Sequence, residues 1–422
     1  MSTRFSLRDI SLLCALLAIA AYFTVAVPNF DFVSARNLSQ LVVEVSVTAT
    51  LAVGMLLVIL PGHIDLSAGS GVGLIGGLAT VLIAGTGWVC DGLRAFHSWL
   101  GTTFSPEVAA YFPPPPWPDP IAMLAALAVA TLFWGLMGTL IVRERIQAFI
   151  VTLGGMLIFK GLFWSVIQSR TIPVTGVSIG KTWPLTVGGH HFEIPQDWLR
   201  RLTTEFLDAR TGLLLAAALS VLILLASTRA WARRRAQSIP GDDGELVFLK
   251  WFITTQLLFL AVLTANQYKG IPLPAILCGA VAFIVHTLTR HTRFGRYLYA
   301  IGGNEEAAVV SGISVRRVTI FAYILMGIIV AITGFMQTAY TGASTTSIGD
   351  LMELDAVAAC VIGGVSLKGG RGTVLGVFFG ALIMATLAKG MSLMGVGPEL
   401  KYVVRGSVLV AAVWMDTRLN RA

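Results

Sequence analysis

The chain has 422 residues, of which 55% are hydrophobic and only 12% charged, about half the charged share of an ordinary soluble domain. With a mean hydropathy of +0.79, so few ionic groups cannot cover the apolar surface of a water-soluble fold, which excludes a soluble enzyme, a disordered chain and a disulfide scaffold. A net charge of +8 would raise nucleic acid as a partner of a soluble protein, but Lys and Arg collect in the cytosolic loops of membrane proteins, and no nucleic acid is needed to explain it.

In chain order, apolar runs fall at about 10–27, 41–60, 64–86, 121–142, 148–168, 211–228, 247–265, 272–289, 318–339, 353–366, 372–391 and 400–415. A spanning helix takes about 20 residues. The pattern therefore predicts an all-α, polytopic integral membrane protein with about 12 hydrophobic segments set in lipid, the short ones broken or re-entrant. The stretch from Arg4 to Val27 is too long an apolar run for a signal peptide and reads as an uncleaved first helix. An even number of spans puts both termini on one side. The clusters Arg4/Arg8, Arg143/Arg145, Arg229 with Arg233 to Arg235, Arg290 to Arg317, Lys368/Arg371 and Arg418/Arg421 all share a face if both termini are cytosolic. Loop 169–210 carries Arg170, Lys181, Arg200, Arg201 and Arg210 on the opposite face, offset by Glu193, Asp197, Glu205 and Asp208. The chain reads as one transmembrane domain over 1–422, with outer loops 87–120 and 169–210 and a cytosolic loop 290–317.

Within the first outer loop, Pro113 to Pro116 and Trp117-Pro118-Asp119-Pro120 favour a stiff polyproline II connector. In the second, His190 and His191 are adjacent and point to opposite sides of an extended chain, which argues against a metal pair. Cys14, Cys90, Cys278 and Cys360 have neither framework nor metal spacing and read as small buried residues. Trp88, Trp134, Trp164, Trp183 and Trp414 lie mostly near segment ends, where an aromatic belt accounts for them.

The segment Gly62-His63-Ile64-Asp65-Leu66-Ser67-Ala68-Gly69-Ser70 interrupts two apolar runs. Two readings stand side by side: Asp65, Ser67 and Ser70 cap the following helix, or the break borders a translocation path, as an ionisable residue at membrane depth suggests. A shift of 301 residues aligns Gly62, Leu66, Gly69 and Gly71 with Gly363, Leu367, Gly370 and Gly372. A repeated helix break fits transporters in which broken helices from two halves surround the substrate. The path candidates are accordingly Asp65, Ser67, Gly69, Ser70, Gly363 and Gly364. Glu44, Lys160, Glu353 and Asp355 also lie in or beside apolar runs, and Glu353 and Asp355 suit the positive end of a helix dipole.

Loop 290–317 is the most informative segment. Asn304 can cap a short helix, Glu305 and Glu306 suit its first turn, and Gly312 suits its stop. So short a helix is marginal in water unless it packs on its own domain or enters a partner's groove. Gly176-Val177-Ser178-Ile179-Gly180-Lys181-Thr182 imitates a phosphate-binding loop, but its spacing is one residue short and Thr175 stands where Gly is required. No nucleotide site is expected on this chain.

Glu306-Ala307-Ala308, three residues and Gly312 resemble the EAA-type loop of ABC-importer permeases. Gly295-Arg296, Tyr299 to Asn304 and Ser311-Gly312-Ile313 resemble the monosaccharide branch of the branched-chain amino acid and monosaccharide permease family. Ile64-Asp65-Leu66-Ser67, Phe149 to Met156 and Leu354 to Gly364 extend the likeness over most of the chain from about residue 35. An extra hydrophobic stretch at 211–265 and the closing Ala412 to Asp416 are similar to the xylose type. The resemblance implies a homodimeric channel without catalysis of its own. A cytosolic ABC ATPase subunit, which would hold ATP and Mg, would grip Gly303, Asn304, Glu305, Glu306, Ala307, Ala308, Gly312 and Arg316. A periplasmic sugar-binding protein would deliver the substrate to the outer loops. The rival from another class is an ion-coupled secondary transporter using Asp65 or Glu44; within the family, a permease for ribose or another small solute is the alternative to xylose.

Overall fold

A computed structural model describes residues 7–106, 109, 114–174, 182–187, 190–195, 197–237 and 243–419; the side chains of 7–11, 182–195, 415–416 and 419 lie outside it. Arg4, Arg421, Pro113, the 176–181 segment and the side chains of Arg8, Trp183, His190, His191 and Asp416 are therefore outside the described residues. All twelve apolar runs are helical. They form α1 (Leu7–Ala26), α2 (Ala35–Ile59), α3 (Ala68–Ala84), α5 (Asp119–Glu144), α6 (Ala148–Val166), α8 (Ala209–Ala236), α9 (Gly244–Asn266), α10 (Leu273–His291), α13 (Val315–Thr341), α14 (Met352–Ile362), α15 (Val374–Leu393) and α16 (Pro398–Leu419). Eight of these are long and apolar enough to cross a membrane. At 11 residues, α14 rises only about 16 Å, half of the about 30 Å hydrocarbon core, so it is too short to span the membrane by itself.

Among the described residues, the two loops expected on the outside carry short helices and strands. Loop 87–120 holds α4 (Gly87–Thr103), bent 55° from α3 across a short break. The Pro-rich stretch then lies on the end of α3, where Trp117 N donates to Leu82 O at 3.0 Å and Gly85 abuts Pro116. Loop 169–210 contains β1 (Ile172–Pro173), a hairpin of β2 (Thr182–Val187) and β3 (His190–Pro195), the short α7 (Trp198–Thr204) and β4 (Phe206–Leu207). Polar composition concealed these elements, since each is short and none carries a long apolar run.

Strand pairing fixes the ends of the bundle. β4 pairs antiparallel with β5 (Ile271–Pro272), and β1 with β6 (Ala343–Ser344). These ribbons tie the start of α8 to the start of α10, and the end of α6 to the end of α13, at what we term the ribbon end. The opposite end carries α11 (Arg293–Gly303) and α12 (Glu305–Val310). Helix directions bring the arginines after α5, α8 and α10, and Lys368 and Arg371, to that second end.

The core is built on α2, α3, α13 and α15, whereas α8 and α9 are exposed along most of their length. Between helices surrounded by lipid there is little hydrophobic drive to associate, so close backbone approach through small residues does much of the work. On α3 that surface is Gly69, Gly73, Gly76 and Gly77. A Cβ at Gly76 would lie 2.2 Å from Thr338 Oγ1 and 2.7 Å from Gly334 O on α13. Gly76→Ala is therefore expected to lower stability by about 1–3 kcal/mol, read as a lower melting midpoint of the detergent-purified protein. An unchanged midpoint would show that α3 and α13 can separate freely.

Candidate coupling site

The loop between α10 and α13 forms two helices rather than the one expected. Thr292 caps α11, its Oγ1 accepting from Gly295 N at 3.3 Å, and Asn304 caps α12, its Oδ1 accepting from Ala307 N at 2.9 Å. Glu305 and Glu306 occupy the first turn of α12, where the helix dipole favours carboxylates. Gly312 ends the segment at φ +79°, a left-handed conformation costly for other residues. Only Ala308 is buried; Val310 is 89% exposed and Val309 56%. A six-residue helix that leaves two valines and two carboxylates in the open presents a mixed apolar and acidic surface.

α11 anchors this projection. Leu298 and Ile301 are buried, and Gly302 meets backbone directly: a Cβ there would lie 1.9 Å from Leu60 O and 2.4 Å from Gly370 N. Leu60 belongs to the break after α2, and Gly370 to the break between α14 and α15. The two breaks are joined to each other as well, Gly370 N donating to Leu60 O at 2.9 Å. Tyr299 Oη donates to Gly372 O at 2.8 Å; burial raises its phenol above the ordinary value, so it stays a neutral donor. The segments related by the 301-residue shift thus meet at one junction with α11 on top.

Within the first break, Asp65 is fully buried. Its Oδ1 accepts from Ser67 N at 2.9 Å and Ser67 Oγ at 2.6 Å, and its Oδ2 accepts from Trp134 Nε1 at 2.6 Å. Ser67 sits at the N-cap of α3 without capping through its side chain, and its hydroxyl donates to Asp65. Thr152 Oγ1 on α6 donates to Ile64 O at 3.1 Å. The break is therefore clamped to α5 and α6. Trp134, expected in an aromatic belt, is instead fully buried mid-helix with its indole N–H on Asp65. Spacing alone could not tell a belt tryptophan from one turned inward.

Gly69 packs against Glu353 and Gly349, and Ser70 is nearly buried. Gly363 abuts Gly376 O at the start of α15, and Gly364 turns the chain at φ +88°. Arg316 is exposed and lines a cleft of about 930 Å³ with His63, Arg145 and Glu305. The path candidates are thus divided between the two breaks, with Asp65 and Ser67 bonded to each other inside packing and Gly363 and Gly364 at the second turn.

The four other charges picked out in the apolar runs are placed as follows. Glu44 Oε1 accepts from Lys389 Nζ at 3.1 Å and Tyr340 Oη at 2.7 Å, Lys160 pairs with Asp350, Asp355 pairs with Arg405 at 3.4 Å, and Glu353 is buried against α3. Lys389 and Arg405 escaped notice because each lies more than 40 residues from its partner. Among the free cysteines, Cys90, Cys278 and Cys360 are buried as expected, and Cys14 is exposed on α1.

The profile of the family described as branched-chain amino acid transport system/permease component matches residues 37–413. The chain belongs to this permease family. It is 33% identical over 416 residues to the xylose transport system permease protein XylH of Escherichia coli, covering 99% of this chain and 93% of that one. It is 34% identical over 421 residues to XylH of Haemophilus influenzae, covering 98% of each. With the ribose import permease protein RbsC of Escherichia coli it shares 29% identity over 406 residues, 96% of this chain and 92% of that protein. No solved structure matches. This permease is a multi-pass membrane protein of the bacterial inner membrane and a transporter subunit.

Proposed function

We propose that this permease is the membrane subunit of an ATP-driven importer for a monosaccharide, xylose in the first instance. The observation that carries the reading is the exposed α12 helix, joined through α11 by backbone contacts to both breaks. A partner that grips α12 can move both breaks together, because no flexible side chain intervenes. A cytosolic ATPase subunit, holding ATP and Mg, supplies that grip. The arginine-bearing end with both termini then faces the cytosol, and the ribbon end faces a sugar-binding protein in the periplasm. Two copies of the chain enclose the path, and ATPase closure shifts the pair between outward- and inward-facing states. Xylose is preferred because the xylose permeases share more identity with the chain than the ribose permeases do.

The test is uptake of labelled xylose into proteoliposomes holding the permease, its ATPase and its binding protein. ATP-dependent uptake is the expected result. Uptake driven by a proton or sodium gradient without ATP would overturn the reading, and competition by ribose but not xylose would move the substrate. In the same system, Glu306→Lys reverses a charge on the exposed first turn of α12, and Gly312→Pro imposes φ near −65° where the chain has +79°. Each is expected to reduce ATP-driven uptake at least about tenfold (on the order of 1.4 kcal/mol) while the protein still inserts. Unchanged uptake and unchanged ATPase co-purification in both would contradict the assigned grip.

A further inference from the structure

We propose that the polar cavity lined by α2, α13, α14, α15 and α16 is a subsite for the transported solute, and that it takes a neutral polyhydroxylated molecule of monosaccharide size. The proposal deepens the importer reading and rests on it. The cavity holds about 230 Å³, below the about 300–1,000 Å³ of drug-sized pockets, so it admits one small solute. Tyr340 in the last turn of α13 borders it, and Ser347 and Asp350 line it from the segment that follows β6. Glu44 lines it from nine residues into α2. At 1.5 Å per residue that is about 14 Å in, near the middle of the membrane, where transporters bind their substrates.

The charges of the cavity cancel. Glu44 has Lys389, Asp355 has Arg405, and Asp350 has Lys160. A site whose carboxylates are each matched by a cation offers no net attraction to an ion. What remains available is neutral. Thr48 lies one turn beyond Glu44 on the same face of α2, and Gln337 lies one turn before Tyr340 on α13. The neighbouring hydroxyls of Ser46 and Thr50 bond back to Val42 O and Ser46 O. Among the described residues, Thr48 Oγ1 and the Gln337 amide make no hydrogen bond, although both line the cavity. An amide and a hydroxyl, each able to donate and accept, are the groups that sugar hydroxyls require.

The experiment uses the complete importer in proteoliposomes, with labelled D-xylose as the probe and two readouts: initial uptake rate and ATP hydrolysis stimulated by the loaded binding protein. The double variant Thr48→Val, Gln337→Leu keeps volume and removes both hydrogen-bonding groups. Uptake is expected to fall at least about tenfold while stimulated hydrolysis stays within about twofold of wild type, and Thr48→Ser is expected to transport normally. Ala388→Trp, which fills the cavity from α15 and leaves Thr48 and Gln337 in place, is expected to block uptake in the same way. Normal uptake in the double variant, or in a membrane-inserted Ala388→Trp protein, overturns the subsite and leaves the importer reading standing. A wild-type complex that imports no sugar on ATP removes the importer reading and the subsite together.

Discussion

Gly302→Ala is expected to abolish most ATP-driven transport, while Gly161→Ala on α6 is expected to change almost nothing. A Cβ at Gly302 would lie 1.9 Å from Leu60 O and 2.4 Å from Gly370 N, whereas a Cβ at Gly161 would meet no atom within 4 Å. Both obstacles at Gly302 are backbone, so no rotamer change relieves them. α11 must lift away from the junction or the two breaks must part, at a cost of about 1–3 kcal/mol or more. Neither change touches the exposed face of α12. ATPase binding should therefore survive in both variants, while uptake falls at least about tenfold in Gly302→Ala alone. Equal uptake by the two variants would show that motion does not pass through this junction.

Asp65→Ala should be among the most destabilising single substitutions in the chain. It leaves Ser67 N and Trp134 Nε1 without their acceptor inside packing, and Ser67 Oγ with only Met137 Sδ at 3.7 Å. Each stranded donor costs about 1–3 kcal/mol, so the sum is several kcal/mol. Trp134→Phe removes one donor, keeps the ring volume in part and retains both Ser67 bonds, so its loss should be smaller. Melting midpoints of the detergent-purified proteins should rank wild type, Trp134→Phe, Asp65→Ala from highest to lowest. If Asp65→Ala melts with the wild type but alone loses uptake, the carboxylate serves the path rather than the clamp.

The clamp and the cavity differ in how visible they are along the chain. Asp65 attracted attention because a carboxylate between apolar runs is rare, yet its partner Trp134 is 69 positions away. Glu44 was conspicuous for the same reason, and Lys389, 345 positions away, was not. Short elements were also missed. α4, the β2–β3 hairpin and α7 lie in segments whose Pro, Gly and charged residues read as loop, because their order comes from docking on helix ends rather than from periodicity.

The twelve helices, their lengths and the caps of α12 follow from local facts: apolar run length, Asn304 before two glutamates, and Gly312 after the last turn. Those features depend only on neighbours within a few residues, and so the amino-acid order by itself determined them, together with membrane residence and the low charge. Which helices are central, which way Trp134 turns, and how the repeated glycine breaks meet under Gly302 depend on contacts between distant segments. Only the tertiary structure decided these, because a contact across 60 or 300 residues leaves no periodic trace in either segment that makes it.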